Sequence, residues 1–194
     1  YSLFSASGMD FILINLQYNP TTAIHDWADA LLKTYSSRRA IVEQHNILTP
    51  ANGWDGLDLG ATYPALKDNP NLFMIVCGHN HTSSDGAAYR AEPGDDLHTI
   101  HIVMADYQEI SNDNGYLRLF RFSPANDMIY MTTYSPSSGL SLTSTSNYDQ
   151  ADLAYDMVSA APFTLIGTVN RVTSGSNASI SWSGLADTTE YEWY

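Results

Sequence analysis

Three histidines in the first half of the chain have the type and spacing of metal ligands. His79 and His81 are two residues apart in Gly78-His79-Asn80-His81, directly after an apolar run typical of a buried strand. In extended backbone, residues i and i+2 point to the same side, so both imidazoles could converge on one site, and the small Gly78 would permit a sharp turn there. His45 follows another apolar run, and imidazole suits zinc, manganese, iron and similar metals. The pattern favours a metal site at His45, His79 and His81.

The other candidates are weaker. His25, His98 and His101 are single histidines, which more often serve as surface or core residues than as ligands. Cys77 ends an apolar strand, where a free cysteine is usually a small buried hydrophobic residue, so a Cys–His nucleophile is not favoured. Three imidazoles alone make an incomplete catalytic site, because such sites usually add carboxylates. Spacing alone cannot assign any of five aspartates to it: Asp10, Asp26, Asp55, Asp85 and Asp106.

The elements that must position these histidines alternate along the chain. Apolar runs at 10–16, 40–42 and 72–77 predict strands, and two stretches between them predict helices. In the first helix, Ile24, Trp27, Ala28, Leu31 and Leu32 form one apolar stripe. Alternating strands and helices indicate an α/β fold with a mostly parallel sheet, whose carboxyl edge is the usual ligand site.

The later part of the chain has a different character. Strands joined by turns are predicted at 97–104, 116–122 and 128–133. We expect a linker over 137–160, because its first half is rich in Ser and Thr, and new strand-like runs follow it.

Composition excludes several classes of function. The chain of 194 residues has a net charge of −13 and only 8 Lys plus Arg, which argues against a groove that neutralises nucleic-acid phosphates. One cysteine excludes an internal disulfide framework. No apolar run is long enough to cross a membrane, so no span is predicted. The start at Tyr1, without an initiator Met or a signal peptide, leads us to expect a piece of a longer protein.

Several motifs resemble those of calcineurin-like metallophosphoesterases. Residues 76–81 (Val-Cys-Gly-His-Asn-His) resemble the glycine-His-x-His signature that closes the family's domain, and 40–45 (Ala-Ile-Val-Glu-Gln-His) resemble the strand and histidine before it. Residues 105–108, 115–122 and 133–136 are similar to secreted bacterial members. The resemblance covers roughly 1–136, as the C-terminal part of the domain.

The resemblance implies a fold, a cofactor and an activity. The fold would be the C-terminal half of a β-sandwich flanked by helices (αββα), in a secreted or cell-surface bacterial protein. His45 and His79 would bind one divalent metal ion and His81 a second one (Zn, Mn or Fe), for hydrolysis of a small phosphoester substrate. The family's other ligands lie in an Asp-x-His, a Gly-Asp and a Gly-Asn-His that come before these motifs, and none of the three precedes His45 here. The general-acid histidine is therefore expected upstream, and this chain alone is expected to be inactive.

The tail of the chain has a strand pattern of its own. Residues 161–194 resemble the first strands of a fibronectin type III-like domain, with Trp182 as its core residue; a tail packed on the first domain is the alternative.

The rival function is a non-catalytic surface or adhesion module whose histidines bind metal structurally or not at all. A degenerate phosphoesterase domain that binds without cleaving is a third possibility. Upstream sequence with an Asp-x-His and a Gly-Asn-His would favour the enzyme.

Overall fold

The computed structural model describes residues 1–55, 61–110, 115–146, 148–157 and 179. The chain divides into two compact units, Tyr1–Ala160 and Ala161–Tyr194. The fibronectin-like prediction for 161–194 falls outside the described residues, apart from Ser179. Within the described residues, no helix is both long and apolar enough to span a membrane.

The first unit is mixed α/β, and its described elements follow one another in this order: β1 (Ser2–Ala6), β2 (Met9–Asn15), α1 (Thr22–Thr34), β3 (Arg39–Glu43), α2 (Thr62–Leu66), β4 (Leu72–Cys77), β5 (Ala87–Pro93), β6 (Thr99–Ala105), β7 (Leu117–Ser123), a 3-10 turn (Pro124–Asn126), β8 (Met128–Tyr134), β9 (Ser141–Leu142) and β10 (Ala151–Ala154).

Six strands form the larger sheet, in the order β1-β2-β3-β4-β6-β5. The four inner strands are parallel to one another, and the edge strands β1 and β5 run antiparallel to their neighbours. The inner strands are largely apolar because both faces of the sheet are covered. Parallel strands bring their carboxyl ends to one edge, so the residues that follow β3 and β4 become neighbours there.

Helices cover one face of this sheet. Helix α1 begins after Pro20, with the backbone N–H groups of Ile24 and His25 donating to the Thr21 carbonyl. Ala28 and Leu32 are fully buried against the strands, and burying a leucine contributes roughly 1.5–3 kcal/mol. Trp27, which the predicted stripe includes, is 42% exposed.

A second sheet covers the opposite face. Its order is β10-β8-β7, with the short β9 also pairing with β8. Phe11, Phe73 and Val103 of the larger sheet pack with Ile129 and Met131 of the second sheet in one core. The described part of the unit therefore has three layers: helices, sheet and sheet.

Three sequence predictions differ from the structure. Strand β5 was not predicted, because Ala87–Pro93 alternates irregularly between apolar and charged residues. The predicted linker over 137–160 contains β9 and β10, and β10 pairs with β8 along its whole length. Strand β6 begins at Thr99 rather than Leu97, which is 85% exposed with a φ of 71°.

Candidate metal centre

His45 and His79 meet at the carboxyl edge of the larger sheet. Each lies two residues beyond the end of a parallel strand, β3 or β4, and the Gly78 backbone N–H donates to the His45 carbonyl at 3.0 Å. His45 Nε2 and His79 Nδ1 are 3.1 Å apart. In a tetrahedral zinc site with Zn–N bonds of about 2.0–2.1 Å, two ligand nitrogens are about 3.3 Å apart. This pair therefore fits two of the ligands of one metal ion.

The turn that presents His79 differs from the predicted one. His79 itself has the left-handed backbone, with a φ of 66°, so the His-x-His segment is not extended. Glycine at position 78 is favoured by the close approach of β6, because a Cβ there would lie 3.3 Å from the Ala105 carbonyl oxygen. The two imidazoles consequently diverge, His79 toward His45 and His81 toward Asp106.

His81 lies among acidic and amide side chains. Its Nδ1 is 3.2 Å from Asp106 Oδ2, its Nε2 is 3.6 Å from Glu109 Oε2, and the Gln108 amide nitrogen is 3.2 Å from Nδ1. Burial alone would lower the pKa of His81, but the hydrogen bond and charge of Asp106, with the charge of Glu109, outweigh it and raise that pKa. An Asp–His hydrogen bond of this kind fixes the orientation of a ligand imidazole and leaves the other nitrogen for a metal.

Asn80 ties the two ligand loops together. Its amide nitrogen donates to the Leu48 carbonyl at 2.8 Å and to Asp55 Oδ2 at 2.5 Å. Both partners belong to the segment after His45, so the His-x-His turn is held against that segment. Asn80 is also the asparagine of an Asn-x-Thr sequon, and its amide nitrogen, the atom that a glycan would modify, is engaged in these two hydrogen bonds.

Two fully buried amides flank His45. The Gln44 amide nitrogen donates to Asn46 Oδ1 at 3.1 Å, and both residues are 0% exposed. Gln44 Oε1 and Asn46 Nδ2 have no hydrogen-bond partner within the described part of the chain. The sequence does not predict that Gln44 and Asn46 are buried, because polar residues after a strand are usually solvated.

Tyr18 and a small cavity border the histidine pair. The Tyr18 ring packs edge-on against His45, with centroids 5.4 Å apart, and lies 5.7 Å from the His79 ring. A cavity of about 330 Å³ opens beside them, lined by Asn15, Leu16, Tyr18, Glu43 and His45. Tyr18 was not among the predicted site residues, since its place in the loop after β2 shows only in three dimensions.

The remaining histidines lie elsewhere with fixed partners. His25 Nε2 is 3.0 Å from the Thr62 hydroxyl. His101 is 3% exposed and lies between the two sheets. His98 Nε2 is 2.8 Å from the carbonyl of Leu72, at the amino end of β4. Each has the structural surroundings expected of a single histidine.

Residues 94–98 resemble two of the motifs that the resemblance places upstream of His45. Gly94-Asp95 and Asp96-Leu97-His98 have the residue types of the Gly-Asp and Asp-x-His motifs. They precede β6 and lie at the amino edge of the sheet, whereas the candidate ligands lie at the carboxyl edge. They therefore cannot complete the site.

The described residues bring the three predicted ligands to one edge in two separate groups. No three His, Cys, Asp or Glu side chains among the described residues are arranged to hold one metal ion. The structure adds Asp106, Gln108 and Asn80 to the surroundings of the predicted ligands. Cys77 is half-buried and packs against the helix-side core.

The fold and site define a mixed α/β protein with a histidine cluster at the carboxyl edge of a largely parallel sheet. No family model matches the chain, and no solved structure matches it. The chain is similar to "Uncharacterized protein YvnB" of Bacillus subtilis strain 168, with 28% identity over 214 aligned residues. The alignment covers 100% of this chain but only 17% of that relative, so the chain spans a small part of the relative's length.

Proposed function

We propose that this chain contributes His45, His79 and His81 to the binuclear metal centre of a phosphoester hydrolase. The observation that carries the proposal is the His45–His79 pair, whose facing nitrogens are 3.1 Å apart at the carboxyl edge of the sheet. A polar site at that edge is where open α/β sheets bind their ligands.

The finer fold assignment belongs to the same proposal. Two sheets face each other, and helices cover the outer face of the larger one. This arrangement is compatible with the C-terminal part of the αββα sandwich implied by the sequence motifs. The remaining ligands would come from an upstream segment. A secreted or cell-surface location in a bacterium is proposed on the resemblance to secreted members.

Each residue has a proposed task. His45 and His79 hold one metal ion between their facing nitrogens, and His81 presents Nε2 to the second while Asp106 holds its Nδ1–H. Asn80 keeps the two ligand loops at a fixed separation. When bound, two divalent ions offset phosphate charge and stabilise the attacking and leaving oxygens. They would allow a chain with a net charge of −13 to accept an anionic substrate.

The test compares a longer chain, with its natural upstream segment, and this chain alone. Both are assayed with bis(p-nitrophenyl) phosphate and added manganese or zinc, with a chelator as the control. We expect hydrolysis by the longer chain only, and its loss on chelation. A folded longer chain that binds metal but hydrolyses neither this diester nor p-nitrophenyl phosphate would favour the non-catalytic surface module.

A further inference from the structure

Two exposed polar residues on adjacent strands line the cavity beside His45. Asn15 and Glu43 end β2 and β3 and are register partners in the parallel pair, so their side chains leave the same face of the sheet. Adjacent strands lie about 4.8 Å apart, which lets both side chains contact one small group. Neither side chain has a hydrogen-bond or ion-pair partner within the described ranges.

The chemistry of the cavity selects the charge of its occupant. A carboxylate only accepts hydrogen bonds, so Glu43 repels a phosphate group and attracts a cationic donor. Tyr18, 45% exposed, offers an aromatic ring on the same cavity, and aromatic faces also attract ammonium groups. The net charge of −13 acts in the same direction.

The size and position of the cavity suit the organic part of a small phosphoester. A cavity of about 330 Å³ is at the lower end of the range for small-ligand sites, so it has room for the organic part of a small phosphoester. His45 lines the cavity and also faces His79. A phosphate held at the histidine pair would therefore place its organic substituent in the cavity.

We propose that this cavity is a substrate subsite for an ammonium group, so that the preferred substrates are phosphoesters of small amino alcohols. Glu43 binds the ammonium group, Asn15 accepts one of its hydrogen bonds, and Tyr18 covers it. This inference rests on the proposed hydrolase function for the reaction, but the binding of the ammonium group can be measured separately.

The test uses three matched esters that differ at one terminal position: 2-aminoethyl, 2-hydroxyethyl and ethyl phosphate, each also as its methyl diester. With the longer, metal-loaded chain, we expect kcat/KM for the aminoethyl ester to exceed that for the ethyl ester about five- to tenfold, as one charge pair near a protein surface allows. Glu43→Gln should bring the ratio of kcat/KM for the aminoethyl ester to that for the ethyl ester close to one. Asp152→Asn, an equal change of charge on an exposed residue of β10, should keep it.

A binding measurement separates this inference from the proposed reaction. Saturation-transfer NMR on the 194-residue chain, without metal, should show stronger transfer to 2-aminoethyl phosphate than to ethyl phosphate, and Glu43→Gln should remove the difference. Equal transfer to both would overturn the subsite even if the longer chain hydrolyses phosphoesters. A preference for the hydroxyethyl ester would overturn the assignment to ammonium, and a loss of metal affinity in Glu43→Gln would assign Glu43 to the metal site instead.

Discussion

Two sets of histidines in one small sheet protein differ in what their nitrogens contact. At the carboxyl edge, His45 and His79 contact each other, and His81 contacts an ionisable side chain, Asp106. Away from that edge, His25 contacts a hydroxyl, and His101 contacts a hydroxyl and a backbone carbonyl. His98 contacts a backbone carbonyl and the Asp96 carboxylate, but no second imidazole. Imidazoles whose neighbours are hydroxyls and carbonyls stabilise the fold, whereas imidazoles that face one another are suited to share a ligand.

Backbone conformation separates the two sets as well. His79 has a φ of 66°, an unfavourable left-handed conformation for a residue that is not glycine. Such conformations cost of order 1–2 kcal/mol and persist where the surrounding structure enforces them. Asn80, bonded to the segment after His45, supplies part of that constraint. Strain therefore coincides with the candidate ligand and with no histidine of the structural set.

The largest expected effect comes from removing a ligand. In the longer chain, His79→Ala should lower phosphoester hydrolysis by about a thousandfold or more, because even partners of ligands cost 10–100-fold when lost. Stability should be retained, since His79 fills no core space. Steady-state kinetics and urea unfolding measure the two quantities.

A glycine variant sharpens that result. His79→Gly should be as inactive as His79→Ala, but its free energy of unfolding should be about 1 kcal/mol higher than that of His79→Ala. The reason is that glycine adopts a positive φ at no steric cost. Activity close to wild type in either variant would remove His79 from the metal centre and with it the proposed function.

The opposite pattern is expected for a histidine of the structural set. His101→Ala should destabilise the protein by about 2–4 kcal/mol, because the Tyr89 hydroxyl and the Ala154 carbonyl, each 2.9 Å from the ring, lose their partner in the core. Zinc affinity measured by competition with a chromophoric chelator should not change. A loss below 1 kcal/mol, or a weaker zinc site, would show that the two sets are not separate.

An intermediate effect is expected where an ionisable partner supports a ligand. Asp106→Asn keeps the size of the side chain but removes the charge beside His81, so metal affinity should fall about 10–100-fold. The same chelator competition measures it. Asp10→Asn is the control, because Asp10 lies on β2 and its nearest charged partner is Arg38. Equal affinities in wild type and Asp106→Asn would restrict Asp106 to a structural role.

The sequence predicts the ligand edge better than the details of the site. His45 and His79 follow the apolar runs that form β3 and β4. Such runs show in the sequence where each strand ends, and their alternation with helices indicates that the two strands pair in parallel. Asp106 and Asp55 could not be assigned, because they contact the histidine segment only after long loops and sheet pairing bring them there. The prediction that the His79 and His81 rings converge was wrong, because the sequence does not show that a residue other than glycine adopts the left-handed backbone conformation. Strand β10 was missed because four residues with one buried leucine carry no strand pattern.

The smallest effect is the dependence of stability on pH that His101, a histidine of the structural set, should produce. Burial lowers the pKa of His101, and its bond to the Ala154 carbonyl offsets this only in part. The folded state therefore binds fewer protons than the unfolded state below the ordinary histidine pKa of about 6.5. The stability from neutral His101 is complete above that pH and decreases as the pH falls through about 6.5 toward the lower folded pKa, by at most about 1.4 kcal/mol per pH unit.

His81, whose pKa is raised, changes the stability in the opposite direction with pH. The quantity to measure is therefore the difference in unfolding free energy between wild type and His101→Gln from pH 5 to 8. We expect that difference to decrease toward pH 5; a difference independent of pH would mean that His101 is not held neutral between the sheets.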